Sequence, residues 1–233
     1  MLWTVLLGGL LVAHAGERSR TRSHVLSVMM RSEFGGAGRS RIVRWVTPPQ
    51  LSVIGGTPRH REMVAQVADE LSGLLDTAAG LRIDRVADPA KADMRLYFAP
   101  LDELPAIAER EGFSYIPGNL GLFWVFWDGK GQIDHAIILI AEDRIRDDAM
   151  MAHFLLEEMT QSLGLMNDSP LFPQSVFYET HQAIGTATRL PPLDQRTVML
   201  LYGHVRPNAR ACEVRRAYRR HWRDIVADES EQQ

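Results

Sequence analysis

The spacing of apolar residues predicts alternating strands and helices in the order β, β, α, β, β, α over residues 42–111. Short runs rich in β-branched and aromatic residues predict strands at 42–46, 51–54, 81–87 and 92–100. A short helix is predicted at 101–111, where Pro105 starts or kinks it. A long amphipathic helix is predicted at 60–78, because apolar residues recur there at helical spacing: Met63, Val64, Val67, Leu71, Leu74 and Leu75.

A β-hairpin is predicted next, from Leu122 to Trp127 and from Ile133 to Ile140, with a turn containing "DGKG" between the two strands. Its aromatic residues are interpreted as core or sheet-covering side chains, since that is their usual role on a strand. The alternative is a stacking platform for sugars or bases. An exposed edge of this hairpin would also accept an extended peptide as an added strand.

A second long helix is predicted after Asp147-Asp148, which suit a helix N-terminus. It ends at Gly164, a residue type that often stops helices. Its apolar residues keep helical spacing: Met151, Phe154, Leu155, Met159 and Leu163. On such a helix Glu157 and Gln161 share a face with His153, while Glu158 is rotated by roughly 100°.

The composition indicates one globular domain and excludes a general attraction to nucleic acid. Of the 233 residues, 45% are hydrophobic and 24% are charged, which is enough apolar material for a sizeable core. The formal net charge is -3, so partners have to be inferred from local features. The single cysteine, Cys212, excludes an intramolecular disulfide and a Cys-rich zinc site.

The N-terminal residues predict export. An apolar run from Leu2 to Val12 precedes Ala13-His14-Ala15, a small-x-small pattern typical of signal peptidase sites. We therefore predict a signal peptide at 1–15 and a periplasmic or secreted protein. The run is too short to span a bilayer, so an integral membrane protein is not expected. No basic residue precedes the run, which leaves a mis-assigned start or a short amphipathic anchor as alternatives. Residues 16–41, rich in Arg, Ser and Gly, predict a flexible basic linker.

Residues 208–233 predict an Arg-rich C-terminal helix and an acidic tail. An apolar stripe on this helix is expected to dock it on the domain. Its arginines are interpreted as a solvated face. Binding of phosphate or anionic lipid by the arginine cluster is the alternative.

The segment "EEMTQSLGLMND" resembles the metzincin zinc-peptidase pattern H-E-x-x-H-x-x-G-x-x-H/D and aligns with it without a gap. The alignment places Glu157 and Gln161 at the two helix-ligand positions and Glu158 at the general-base position. Gly164 falls at the turn and Asn167 at the third-ligand position, with Asp168 beside it.

Two downstream segments continue the resemblance in the same order. "SVFYE" is similar to the metzincin Met-turn, with Phe177 in place of Met. "LDQRTVMLLYG" is similar to the closing metzincin helix, in which Asp194 and then Tyr202-Gly203 fit. The whole of residues 42–207 resembles the bacterial domain-of-unknown-function family 2927, whose members are secreted or lipid-anchored relatives of zincins. This resemblance implies an α+β, zincin-like fold: a twisted mixed sheet, an active-site-type helix after an edge hairpin, and a small helical C-terminal subdomain.

The departures from the metzincin pattern bear on the chemistry. Catalytic zinc takes three protein ligands, usually His with a carboxylate. The three ligand positions here hold Glu157, Gln161 and Asn167, and amide carbonyls are weak ligands, so no metal cofactor is expected. If a metal were bound, those three residues with Asp168 and His153 would be its candidate ligands. The all-oxygen set of Glu157, Gln161, Asn167 and Asp168 suits calcium better than zinc, and His153 or His181 would complete a rearranged site. Glu158 would be catalytic only in an active enzyme.

Three functional hypotheses follow, none of which names a substrate. The preferred one is a pseudo-metallopeptidase: a non-catalytic binding or scaffold module of the cell envelope that grips an extended peptide or an envelope protein. The alternative is a metal-dependent hydrolase or peptidase with an atypical oxygen-ligand site and Glu158 as general base. Whether the protein is an enzyme is thus left open. The third is an envelope interaction through the arginine helix, with an incidental fold.

Overall fold

A five-stranded mixed sheet forms the centre of the protein. The structure is a computed structural model that describes residues 3–31 and 41–226, with side chains from residue 16 onward. The strands are β1 (Gln50–Ile54), β2 (Asp84–Arg85), β3 (Met94–Ala99), β4 (Gly121–Trp127) and β5 (Ile133–Ala141), in the spatial order β2-β1-β3-β5-β4. β1, β2, β3 and β5 run parallel, and β4 pairs antiparallel with β5. The predicted mixed sheet with a hairpin at its edge is confirmed.

Six α-helices surround the sheet. They are α1 (Trp3–Met30), α2 (Pro58–Ala79), α3 (Leu104–Arg110), α4 (Asp148–Gln161), α5 (Pro192–His204) and α6 (Ala211–His221). A two-stranded hairpin, β6 (Glu179–Thr180) and β7 (Ala183–Ile184), lies between α4 and α5. The helix after the edge hairpin and the helical C-terminal part therefore follow the predicted order, and the fold is α+β.

Both faces of the sheet are covered. Strand β5 shows the alternation, because Ile138 and Ile140 pack in the larger core while Ile137 and Leu139 face a smaller one. The larger core also takes in side chains from α1, α2, α4, α5 and α6. Helix α3 covers the opposite face. The helix α4 packs against β4 and β5 of the sheet and against α2.

The predicted flexible linker at 16–41 is wrong for its first part. Residues 16–30 are helical and belong to α1, and Val25, Val28 and Met29 are fully buried in the larger core. These side chains are spaced as one helical stripe, so their burial outweighs the polar composition of the segment. Residues 32–40 lie outside the described residues. The predicted signal peptide stays a prediction; α1 runs through its proposed end at Ala15 without a break.

The first predicted strand, residues 42–46, is also not a strand of the sheet. Its strand-type pairing is limited to isolated bridges, one from Arg44 to Gln132 and one from the preceding Arg41 to Arg210. It is an extended segment inside the core, where Ile42 and Trp45 are almost completely buried. The Trp45 indole N–H donates to the carbonyl of Ser162 over 3.1 Å. Its partners are thus loops and helices, which a strand pattern does not reveal.

The Arg-rich C-terminal helix is present as α6. Val214 and Tyr218 form its buried stripe, and the arginines Arg215, Arg216, Arg219 and Arg220 are exposed. The acidic tail at 227–233 lies outside the described residues. Across the described residues, no helix combines the length and the hydropathy needed to cross a bilayer.

Replacing Tyr202 by Phe is expected to lower the free energy of unfolding by about 1–3 kcal/mol. The buried hydroxyl donates to the carbonyl of Leu163 over 2.8 Å and accepts from the backbone N–H of Trp45 over 3.4 Å. Both backbone groups would lose this partner. Urea unfolding measures the change, and Tyr178→Phe, on a half-buried tyrosine outside this network, is the control. Equal effects of the two changes would contradict the assigned role of Tyr202.

Candidate functional site

Helix α4 carries the motif and is largely buried. The Asp147 carboxylate caps its first turn by accepting from the backbone N–H of Met150 over 2.8 Å. Four polar side chains on the helix are almost fully enclosed, namely His153, Glu158, Thr160 and Gln161. Buried polar groups need partners within the protein. The partners of each residue therefore decide what this helix can do.

His153 is held by the segment that follows the β6–β7 hairpin. Its Nδ1 lies 2.9 Å from the carbonyl oxygen of Ala187, and its Nε2 lies 3.4 Å from Oε2 of Glu157. The chain crosses the ring so closely that a Cβ at Gly185 would lie 2.7 Å from Cε1. Burial lowers the pKa of His153, against a smaller opposing effect of the Ala187 carbonyl. A neutral, covered imidazole results.

Glu158, the residue at the general-base position, points toward the edge strand. Its carboxylate lies against Gly121, the first residue of β4, where an added Cβ would overlap Oε1. The same Cβ would lie 2.9 Å from the Phe154 ring. Only 6% of Glu158 is exposed. A glycine is therefore needed at the start of β4 to leave room for this carboxylate.

Gly164 makes the turn after α4 that the motif predicts. Its φ is +107°, and an added Cβ would overlap the carbonyl oxygen of Val43. Only glycine combines this conformation with such a close backbone approach. The turn directs the following residues back along α4, and the Gln161 side-chain amide donates to Oδ1 of Asp168 over 2.9 Å.

Asn167, at the third-ligand position, is bound to the N-terminal helix. Its side-chain amide donates to the hydroxyl of Ser27 in α1 over 3.1 Å and also to the backbone carbonyl of Asp168. Nearby, Arg20 of α1 donates to the carbonyl of Leu171 over 2.8 Å and lies over the Phe172 ring. The loop after Gly164 is thus fastened to α1.

The residues present do not fit a catalytic metal. Within residues 3–31 and 41–226, no group of three or more His, Cys, Asp or Glu side chains is placed to hold an ion. Of the candidate ligands, Gln161 and Asp168 bond each other, Asn167 faces Ser27, and His153 faces Ala187. Glu157 occupies the first helix-ligand position, and its Oε2 lies 3.4 Å from Nε2 of His153. We derive no metal-dependent step for this site.

A surface cavity of about 850 Å³ adjoins one end of this arrangement. Asp168 and Pro170 line one side of it, and the β6–β7 hairpin with His181 lines the other. His181 is exposed. The open space of the site is therefore beside Asp168, while the face of α4 that carries His153 is covered.

Asp194 organises the turn below α4, and its partners include a residue that sequence analysis missed. It is fully buried and accepts from the Ser175 hydroxyl over 2.9 Å and from the Val176 backbone N–H over 2.7 Å. Nε2 of His24, in α1, lies 3.6 Å from its Oδ1. Phe177 is fully buried, and its ring centroid lies 6.4 Å from that of His24.

Sequence patterns mark some of these missed residues and not others. His24 begins the buried stripe of α1, which its spacing to Val25 and Val28 would have indicated. Ala187 and Gly185 act through backbone position alone, and no residue pattern marks them. Gly203 of the closing motif packs α5 against α2, since an added Cβ would lie 3.3 Å from the carbonyl oxygen of Ala78.

Asp194→Asn is expected to lower the free energy of unfolding by about 3 kcal/mol. An amide offers one acceptor where the carboxylate offers two, so either Ser175 or Val176 loses its partner. Chemical denaturation followed by circular dichroism measures the loss. Asp69→Asn, at an exposed position of α2, is the matched control and should change stability little. A stable Asp194→Asn variant would contradict this account of the turn.

Comparison with known proteins places the chain in a family. The solved structure of myroilysin is similar to this one with a TM-score of 0.43 and 13% sequence identity, over 70% of this chain and 98% of that chain. No curated protein matches the chain. The family model described as "Protein of unknown function (DUF2927)" matches residues 19–217, which is most of the chain and includes the second half of α1. The chain therefore belongs to the DUF2927 family.

Proposed function

We propose that this protein is an exported, non-catalytic binding module of the cell envelope, a zincin-like domain that has kept the architecture of a peptidase without its chemistry. One observation carries the proposal: the side chains at the ligand positions are used for internal bonds. The Gln161 amide is bonded to Asp168 and the Asn167 amide to Ser27. These amide N–H donations hold the loop in place, and the amide oxygens that remain are weak ligands for zinc.

The burial of Glu158 supports the same conclusion. A general base has to reach the proton that it removes, directly or through one water. The Glu158 carboxylate is enclosed between Gly121 and Phe154, with 6% of the residue exposed. Its packing suits a structural link between α4 and β4. In the hydrolase alternative, the contact between Glu158 and the start of β4 would have to break.

Edge strand β4 is the proposed contact for a partner. β5 lies on one side of β4, and within the described residues no strand lies on the other. In general, the outward row of backbone N–H and C=O groups of an edge strand can bond an added strand. Trp127, at the end of β4, is 44% exposed and offers an apolar contact beside that row. An extended segment of a peptide or envelope protein is therefore the proposed ligand.

Export is proposed from the N-terminal sequence. The apolar run Leu2 to Val12 and the small-x-small pattern at Ala13 to Ala15 are its support. Within residues 16–30, the buried side chains of α1 start at His24, so these core contacts do not depend on residues 1–15. A periplasmic or secreted location is consistent with this arrangement.

The purified protein is expected to contain no stoichiometric metal, and a chelator is expected to leave its melting temperature unchanged. Elemental analysis and thermal melts with added zinc, calcium or manganese check this. A stoichiometric ion whose removal lowers the melt would contradict the proposal, because binding to the folded state alone stabilises it. Loss of a measured hydrolysis in Glu158→Gln, but not in the exposed control Glu109→Gln, would then establish the hydrolase alternative.

Short unstructured peptides of mixed sequence are expected to slow amide hydrogen exchange in β4. An added strand would protect the outward N–H groups of β4, which otherwise exchange with solvent. Mass spectrometry of exchange with and without the peptides measures this protection. Strand β2, at the other edge of the sheet, is the internal control. Protection at both edges alike, or at neither, would rule out a specific site along β4.

A further inference from the structure

A cavity of about 980 Å³ lies between α1, the start of α5 and the end of α6, away from the α4 motif. Five arginines contribute to its lining, and we call it the arginine cavity: Arg18, Arg196, Arg219, Arg220 and Arg223. Two acidic residues, Glu17 and Asp224, also line it. Its surroundings are thus net positive, in a chain whose formal net charge is -3.

The arginines come from three separate parts of the fold. Arg219, Arg220 and Arg223 are at the end of α6, where basic residues also suit the negative end of the helix dipole. That explanation does not extend to Arg18, in α1, or to Arg196, in α5. Within residues 3–31 and 41–226, no salt bridge joins any of the five to an acidic side chain within 4.0 Å. The five arginines converge from three parts of the fold, outnumber the two acidic residues of the lining and form no salt bridge within the described residues, which points to an anionic ligand.

Arg196 supplies an independent sign of a missing partner. Its Nε is buried and has no hydrogen-bond partner in the described part of the chain. A buried guanidinium N–H without an acceptor is costly. The first turn of α5, at Pro192 and Leu193, also lines the arginine cavity and has no side-chain cap. Its partial positive charge favours an anion at the same place.

Aromatic side chains also line the arginine cavity. Phe172, Tyr218 and Trp222 line it, and the rings of Tyr218 and Trp222 are stacked with centroids 5.0 Å apart. Arginines bind phosphate oxygens in bidentate fashion. Tyr and Trp rings favour the boundary between headgroups and acyl chains. Together these groups suit a phosphate that is attached to an apolar body.

The course of α1 identifies the source of that phosphate. From the lining of the cavity, at Glu17 and Arg18, the helix continues toward Trp3 and so includes residues 3–12 of the apolar run. A run of this length does not span a bilayer, which takes about 20 residues. Stable attachment to a membrane surface usually takes two signals, such as an apolar segment and a basic patch. In the chain that keeps residues 1–15, which is the anchor alternative of the sequence analysis, the second signal lies where the first one ends.

We propose that the arginine cavity binds the phosphate of an anionic phospholipid and so holds the domain against a membrane surface, next to the apolar start of α1. The site is separate from α4 and does not depend on what β4 binds. The protein then has two binding surfaces. One binds lipid at α1, α5 and α6, and the other binds an extended peptide at edge strand β4.

The test is sedimentation of the full chain with vesicles of phosphatidylcholine, with and without a third of phosphatidylglycerol. We expect binding to the anionic vesicles to be at least about tenfold stronger, and Arg219→Glu with Arg223→Glu to remove this difference. The matched control is Arg215→Glu with Arg216→Glu, the same charge change on the same helix at residues that do not line the cavity. It should retain most of the preference for anionic vesicles.

Three results would overturn the proposal. Equal binding to neutral and anionic vesicles would assign attachment to the apolar run alone, and an equal loss in both double variants would indicate general surface charge. Protection of the melt by inorganic phosphate or glycerol 3-phosphate, without vesicle binding, would identify a soluble ligand instead. Circular dichroism checks that the variants fold, and Arg219→Gln with Arg223→Gln replaces the Glu pair if that pair does not.

Discussion

The buried carboxylate of Asp194 is the constraint on which the rest of the site depends. Removing a carboxylate from water costs several kcal/mol unless the protein supplies hydrogen bonds in return. Ser175 and Val176 supply them, and in doing so they fix the turn that carries the fully buried Phe177 beneath α4. Because Asp194 opens α5, the same contact sets where that helix begins. The N-terminal helix completes the arrangement through His24.

The residues that shape the site are distinct from those that would give it metal chemistry. Gly164 allows the sharp turn, Tyr202 bonds the carbonyl of Leu163, and Asp194 holds the lower turn. None of these roles needs an ion. The ligand positions can therefore change to Gln161 and Asn167 while the backbone around them stays the same. Hydrogen bonds to Asp168 and Ser27 then supply part of the cross-linking that a metal would otherwise provide.

Sequence analysis predicted the regular elements well and the irregular ones poorly. Helices α2 and α4 and the β4–β5 hairpin have strong periodicity and clear end signals, such as Asp147 and Gly164. Residues 42–46 have the apolar pattern of a strand, yet their partners are a helix end and a loop. The linker prediction is wrong for residues 16–31, because it followed their Arg and Ser content and overlooked a short apolar stripe at helical spacing. In the site, the motif residues lie on α4 and in the turn after it, as the sequence order requires, but the cover over His153 comes from backbone 34 residues away, which no local pattern encodes.

The position of α1 has a consequence for how the chain folds. This helix is made before the sheet, and its contacts include residues made much later: Asn167 is 140 residues beyond Ser27, and Leu171 is 151 residues beyond Arg20. Contacts of such long range form slowly, because the entropy of closing the chain is lost before they form. During synthesis the apolar stripe of α1 therefore stays exposed to solvent until the C-terminal third of the domain has been made. A chain that cannot close its core early stays extended longer, which favours binding by chaperones or passage through a narrow channel before folding is complete.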